Sequence, residues 1–196
     1  MKRFGNIVYN YFLSQFKQHT RMYYIRPGKL EDLQKFMKKC MEDEVLEKKA
    51  HVEFDFFSKD YDYIAVNILR YVHNILTYKR DQEVWNVPEY WQTARTTYNK
   101  RTGDCEDGAI LILTLARLVG IPANRIFLNA GYVKYRNKKV GHAYVTYLGD
   151  DAVEYILDWC YFYDSRRIPT RKRNWYDDRY YPCWFKVNDK FALKRR

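Results

Sequence analysis

The chain has 196 residues, 47% of them apolar and 18% aromatic, with a formal net charge of +11. That is enough for one domain with a real core, and no apolar run approaches the roughly 18 residues of a membrane span. Met1 to Asn6 lacks an export signal, and Cys40, Cys105, Cys160 and Cys183 show no CxxC pair. A disulfide scaffold and a zinc ribbon are excluded, and a reduced, cytoplasmic setting is expected.

Charge is uneven along the chain. Ser165 to Arg196 holds eleven Lys/Arg against three Asp, or +8, which leaves +3 for everything before. Taken in order, residues 1–27 are aromatic and basic, with a short helix expected over Ile7 to Phe12. Leu30, Leu33, Phe36, Met37, Cys40, Met41 and Val45 follow helical spacing between Lys29 and Lys49. His51 to Phe57 reads as strand or loop. A second helix is expected from Tyr61 to Tyr78, with His73 as a structural histidine beside its apolar face, and residues 79–101 read as a long loop with a turn of helix.

Thr102-Gly103-Asp104-Cys105-Glu106-Asp107-Gly108-Ala109 then leads into an apolar run from Ile110 to Val119, stopped by Gly120 and Pro122. Asp104 suits an N-cap and Asp107 a variant capping box. The run is apolar almost all round, so the helix should be central, and Cys105 falls in its first turn. Unpaired N–H groups there favour a thiolate or an oxyanion, but Glu106 and Asp107 oppose it, so Cys105 needs a cationic partner.

Strands are expected at 125–135, 139–148 and 152–159, with turns at Asn137-Lys138 and at Gly149-Asp150-Asp151, followed by an aromatic segment near 180–187. A three-residue loop centred on Asp150 pairs residues whose numbers sum to 300. Tyr147 then faces Val153, Val145 faces Tyr155, and Ala143 faces Leu157; on the other face His142 sits directly across from Asp158. A carboxylate that fixes the imidazole tautomer, with the other ring nitrogen turned to a cysteine, is the arrangement of a thiol acyl-transfer site.

These motifs carry a resemblance. Gly103 to Ala109, Gly141-His142-Ala143, Tyr155-Ile156-Leu157-Asp158 and the upstream Tyr90-Trp91-Gln92-Thr93 resemble the bacterial transglutaminase-like cysteine proteinases, within the transglutaminase-like and papain-like group. The resemblance implies Cys105 as nucleophile, His142 as general base and then acid, and Asp158 as the orienting carboxylate. It implies an α+β fold in which a buried helix carrying the cysteine packs on an antiparallel sheet, with extra N-terminal helices. The expected organisation is a helical extension over 1–58, a catalytic core over 59–164 and a basic aromatic segment over 165–196 packing on that core.

The Cys105 N–H is one oxyanion donor; for the second, Gln92 and Trp91 stay open. The residues themselves call for no cofactor. The resemblance brings in calcium, which its adhesin-cleaving periplasmic members require, at Asp104 and Asp107. The leading expectation is hydrolysis of a peptide or amide bond in a protein or peptide substrate. The alternatives are amide exchange with an amine acceptor, and a silent module that binds an acidic partner or nucleic acid through the basic C-terminal segment.

Overall fold

The computed structural model describes residues 30–54, 60–161, 163 and 179–194. The expected helix over 7–12 and half of the basic segment, residues 165–178 and 195–196, lie outside them.

Helical spacing between Lys29 and Lys49 resolves into two helices, α1 (Leu30–Cys40) and α2 (Glu44–Glu53). The break follows from Asp43, whose carboxylate accepts the Leu46 N–H at 2.9 Å and restarts the helix as an N-cap. His51, read as strand or loop, belongs to α2. Asp60 caps α3 (Tyr61–Ile75) in the same way, through the Tyr63 N–H.

Leu76 turns extended and leads into β1 (Thr77–Tyr78), which pairs in parallel with β2 (Thr102–Gly103). Between them, where a long loop is expected, lie α4 (Asp81–Val84) and α5 (Ala94–Lys100), the latter capped by Thr93 and closed by Arg101 at φ 57°. The short parallel pair sets Tyr78 beside the start of α6 (Cys105–Leu118).

Helix α6 is the centre of the core. Ile110, Leu111, Ile112 and Leu113 are fully buried, and the helix touches α1, α2, α3 and α5 as well as β3 (Ile126–Tyr135) and β4 (Lys138–Leu148). The all-round apolar pattern thus does what the sequence leads one to expect. With β5 (Glu154–Leu157), β6 (Phe185–Val187) and β7 (Ala192–Lys194), the sheet runs β5-β4-β3-β6-β7, antiparallel throughout. Two of its strands therefore come from the last 32 residues, and Leu33, Met37 and Leu46 share one buried cluster with α6. The fold is α+β.

Two turns differ from expectation. The β3–β4 turn is Arg136-Asn137, both left-handed (φ 48° and 61°), between paired Tyr135 and Lys138. This is the geometry of a tight primed hairpin turn. The β4–β5 pairs sum to 302, not 300: Val145 faces Leu157, Thr146 faces Ile156 and Tyr147 faces Tyr155.

The loop spans 149–153 because distant groups claim it. Asp62 accepts the Asp150 N–H at 3.1 Å, Arg125 holds the Asp150 carboxylate at 2.6 Å, and Ala152 takes φ 61°. A slip of two residues keeps every side chain on its face, so His142 and Asp158 stay on one side and meet diagonally.

Gly108 lies in the second turn of α6 against the Trp159 indole. A Cβ built there would stand 2.1 Å from Trp159 Nε1. Gly→Ala inside a helix ordinarily adds about 1 kcal/mol of stability. Here Gly108→Ala should cost about 2 kcal/mol through overpacking. Denaturant unfolding of the two proteins checks the sign.

Candidate active site

Cys105 opens α6 as a half-buried residue at the mouth of a cleft of about 500 Å³, which His142, Tyr78, Trp91, Tyr161 and Trp184 also line. The sulfur donates a hydrogen bond to Glu106 Oε2 at 3.2 Å. Burial pushes the thiol well above its ordinary pKa and the charge of Asp104 adds to that, against the pull of the Ala143 N–H. The resting group is a neutral thiol. The helix terminus alone does not ionise it.

His142 is 3% exposed, its ring stacked on Tyr161 at 4.6 Å and 13°. Nε2 lies 2.8 Å from Asp158 Oδ2, and Nδ1 is buried with no hydrogen-bond partner. Asp158 Oδ2 also accepts the Tyr180 hydroxyl at 2.8 Å, and Oδ1 accepts the Cys160 N–H at 3.1 Å. Burial would raise this carboxyl. The His142 charge and these donors outweigh it and hold the pKa down at about 2.

An ionised Asp158 requires a proton on Nε2. Neutral His142 is then the Nε2–H tautomer, with its Nδ1 lone pair free to accept a proton.

Neither expected oxyanion side chain has an idle donor. Gln92 is buried and gives its Nε2 to Asp107 Oδ2 at 2.5 Å and to the Thr102 carbonyl at 3.2 Å, while its N–H goes to Asp107 Oδ1. Gln92 is a clamp on Asp107. Trp91 lines the cleft, with its indole N–H on Glu89 Oε1 at 2.9 Å. Tyr78 also lines the cleft, its hydroxyl paired with the Tyr161 hydroxyl at 3.2 Å. Burial is the first cause that raises the Tyr78 pKa, and the nearness of Cys105 the second. Nothing local in Thr77-Tyr78 signals this; the β1–β2 pairing creates it.

Around the start of α6 the carboxylates of Asp81, Glu89, Asp104, Glu106 and Asp107 crowd together, in overlapping groups of three whose oxygens lie within 4.8 Å. Burial raises all five. It brings Asp81 to about 8 with help from the charge of Asp104, and Asp104 to about 6. Asp104 Oδ1 and Glu106 Oε1 are buried without a hydrogen-bond partner. Hard, crowded oxygen donors with two orphaned atoms fit a hard divalent cation such as calcium. Asp104 and Asp107 are the expected pair. Glu106 stands beside them on the same helix turn, and Asp81 and Glu89 join only because α4 and the 85–93 segment fold back over the helix start.

A cysteine at the start of a buried helix, set against an antiparallel sheet that carries a histidine, defines the transglutaminase-like class of α+β domain. The family model for the transglutaminase-like superfamily matches residues 55–162, and the chain belongs to that superfamily. Among curated proteins none matches the sequence.

Two solved structures of LapG from Legionella pneumophila share the fold. The EGTA-treated form has a TM-score of 0.55 at 16% identity, covering 85% of each chain. The calcium-bound form has a TM-score of 0.50 at 19% identity, covering 77% of this chain and 86% of that one. No helix among the described residues is long and apolar enough to cross a membrane.

The raised carboxyls have a measurable consequence. Folded Asp81, at about 8 against an ordinary 3.8, keeps a proton that the unfolded chain releases. Its contribution is full below about pH 4 and is lost as pH rises through about 8. Without added divalent cations, the protein should be more stable at about pH 5.5 than at about pH 8. Asp81→Asn should flatten that slope in denaturant titrations at the two pH values.

Proposed function

We propose that the chain is a thiol-dependent acyl transferase that hydrolyses a peptide or amide bond in a protein substrate. The observation that carries this reading is the His142 ring. Its Nε2 is fixed on an ionised Asp158, and its Nδ1 is buried without a partner, in the same cleft as Cys105.

In this reading the S–H bond breaks, the thiol proton turning from its hydrogen bond with Glu106 to His142 Nδ1, as Sγ attacks the substrate carbonyl carbon. The C–N bond then breaks, the amine departs with the proton from Nδ1, and a thioester remains on Cys105. Water gives a proton to Nδ1 and attacks the thioester. The carboxylic acid leaves, and the proton returns to sulfur. Asp158 keeps its charge throughout and stabilises the imidazolium.

The developing oxyanion has the Cys105 N–H and, in this proposal, the Tyr78 hydroxyl as donors. Asp81, Glu89, Asp104, Glu106 and Asp107 are the residues that would hold calcium, as one LapG structure does in a site of its own. A bound cation would supply positive charge beside a thiol that burial and carboxylates keep protonated.

Amine transfer uses the same atoms with an amine in place of water, and the acidic lining (Asp81, Glu89, Asp104, Glu106) favours an ammonium group near the sulfur. A glutamine peptide offered with a labelled primary amine separates the two outcomes: incorporation means transfer, release of free acid means hydrolysis.

Iodoacetamide should alkylate Cys105 ahead of Cys40, Cys160 and Cys183, and His142→Ala should slow that labelling by at least about tenfold. Equal rates at all four thiols, read by peptide mass mapping, would end the activated-thiol proposal. Tyr78→Phe should lower kcat on a cleaved protein substrate by about 10- to 100-fold with little change in KM. A change in KM alone would assign Tyr78 to substrate binding instead.

A further inference from the structure

Residues 126–149 contain Lys134, Arg136, Lys138 and Lys139 and no Asp or Glu. All four cations are exposed. They surround the tip of the β3–β4 hairpin, whose two-residue left-handed turn leaves little slack. Aromatic rings hold two of them extended. The Lys139 ammonium rides 4.3 Å from the Tyr132 centroid and 5.0 Å from that of Tyr181, and the Arg136 guanidinium 5.2 Å from that of Tyr135. Arg179 adds a fifth positive residue, its carbonyl accepting the Lys134 N–H at 2.7 Å.

Aromatic contacts lead from this surface to the cleft on both faces of the hairpin. Lys139, three residues before His142 on β4, stands on the opposite face of the strand, with Tyr132. Tyr135 stacks on Tyr161 at 4.5 Å, and Tyr161 stacks on His142. Tyr132, edge-on to Trp184 at 4.7 Å, forms part of the cleft wall.

We propose that the β3–β4 hairpin is an exosite that holds an acidic stretch of a polypeptide substrate while the residues beyond it lie in the cleft beside Cys105. A polypeptide suits the geometry better than a nucleic acid. The cleft that the exosite leads into is lined by Asp81, Glu89, Asp104 and Glu106, with Arg80 the one Lys or Arg among its described lining residues, so it offers a continuous phosphate backbone little to pair with. A protein segment changes charge within a few residues and satisfies both surfaces. That the bound segment is then cleaved rests on the acyl-transfer reading; the binding itself does not.

The test uses the full chain carrying Cys105→Ala and follows the fluorescence anisotropy of two labelled peptides of equal length, one glutamate-rich and one with glutamine in place of each glutamate. The glutamate peptide should bind at least about tenfold tighter, and added salt should weaken it. Arg136→Glu with Lys138→Glu should cost at least about tenfold in affinity. Lys48→Glu with Lys49→Glu, the same change in net charge placed on the exposed side of α2, should cost less than about twofold.

No preference for the glutamate peptide, or equal losses in the two double variants, would overturn the exosite. Tighter, hairpin-dependent binding of a single-stranded oligoribonucleotide would replace the acidic protein with a nucleic acid and overturn it too. Retained binding by a wild-type protein that cleaves nothing would count against the hydrolase reading and leave the exosite standing.

Discussion

The site depends on how the first two turns of α6 are seated against the end of β5. Trp159 lies over Gly108 at a distance no other residue permits, and its indole N–H reaches the Cys105 carbonyl at 3.3 Å. Trp159 immediately follows Asp158, so one tryptophan ties the helix that carries the thiol to the segment that carries the carboxylate. The carbonyl of the same residue lies 2.7 Å from His73 Nδ1 on α3, and His73 stacks on Tyr163 at 3.4 Å. His73 thereby anchors the segment that follows β5 to α3.

Two opposed electrostatic settings meet at the sulfur. On the sheet side, Asp158 is surrounded by donors and stays ionised, which gives a neutral His142 a defined tautomer. On the helix side, buried carboxylates crowd one another and keep the thiol protonated. The helix dipole is worth at most about 2 kcal/mol in a partly buried setting. Burial and the charge of Asp104 together push the thiol well up, so dipole and capping do not decide the outcome. The decision lies with whatever neutralises the acidic side, whether a proton on the imidazole or a cation among the carboxylates.

Much of this is legible in the chain. The run from Ile110 to Val119, bounded by Asp104 and Gly120, announces a buried helix with a cysteine at its start, because capping and periodicity are local. The alternation in 139–148 fixes which face His142 takes, and that survives a register slip of two.

What is not legible is set by contacts between distant segments. The β4–β5 loop length follows from Asp62 and Arg125, far off in sequence. Gln92 stands where a papain-like donor is expected, yet its amide serves Asp107, and no local rule reveals that. Asp81 and Glu89 sit in a stretch read as loop, and only the fold of α4 and its flanking segment carries them to the helix start.

The most direct test is to trap the covalent state. The protein, exposed briefly to a small activated ester and quenched in acid, should carry one acyl group on Cys105, removable by hydroxylamine and absent in His142→Ala, by intact-mass and peptide mass spectrometry. Acylation spread over other cysteines, or the same yield without the His142 imidazole, would contradict a thiol that works through that ring.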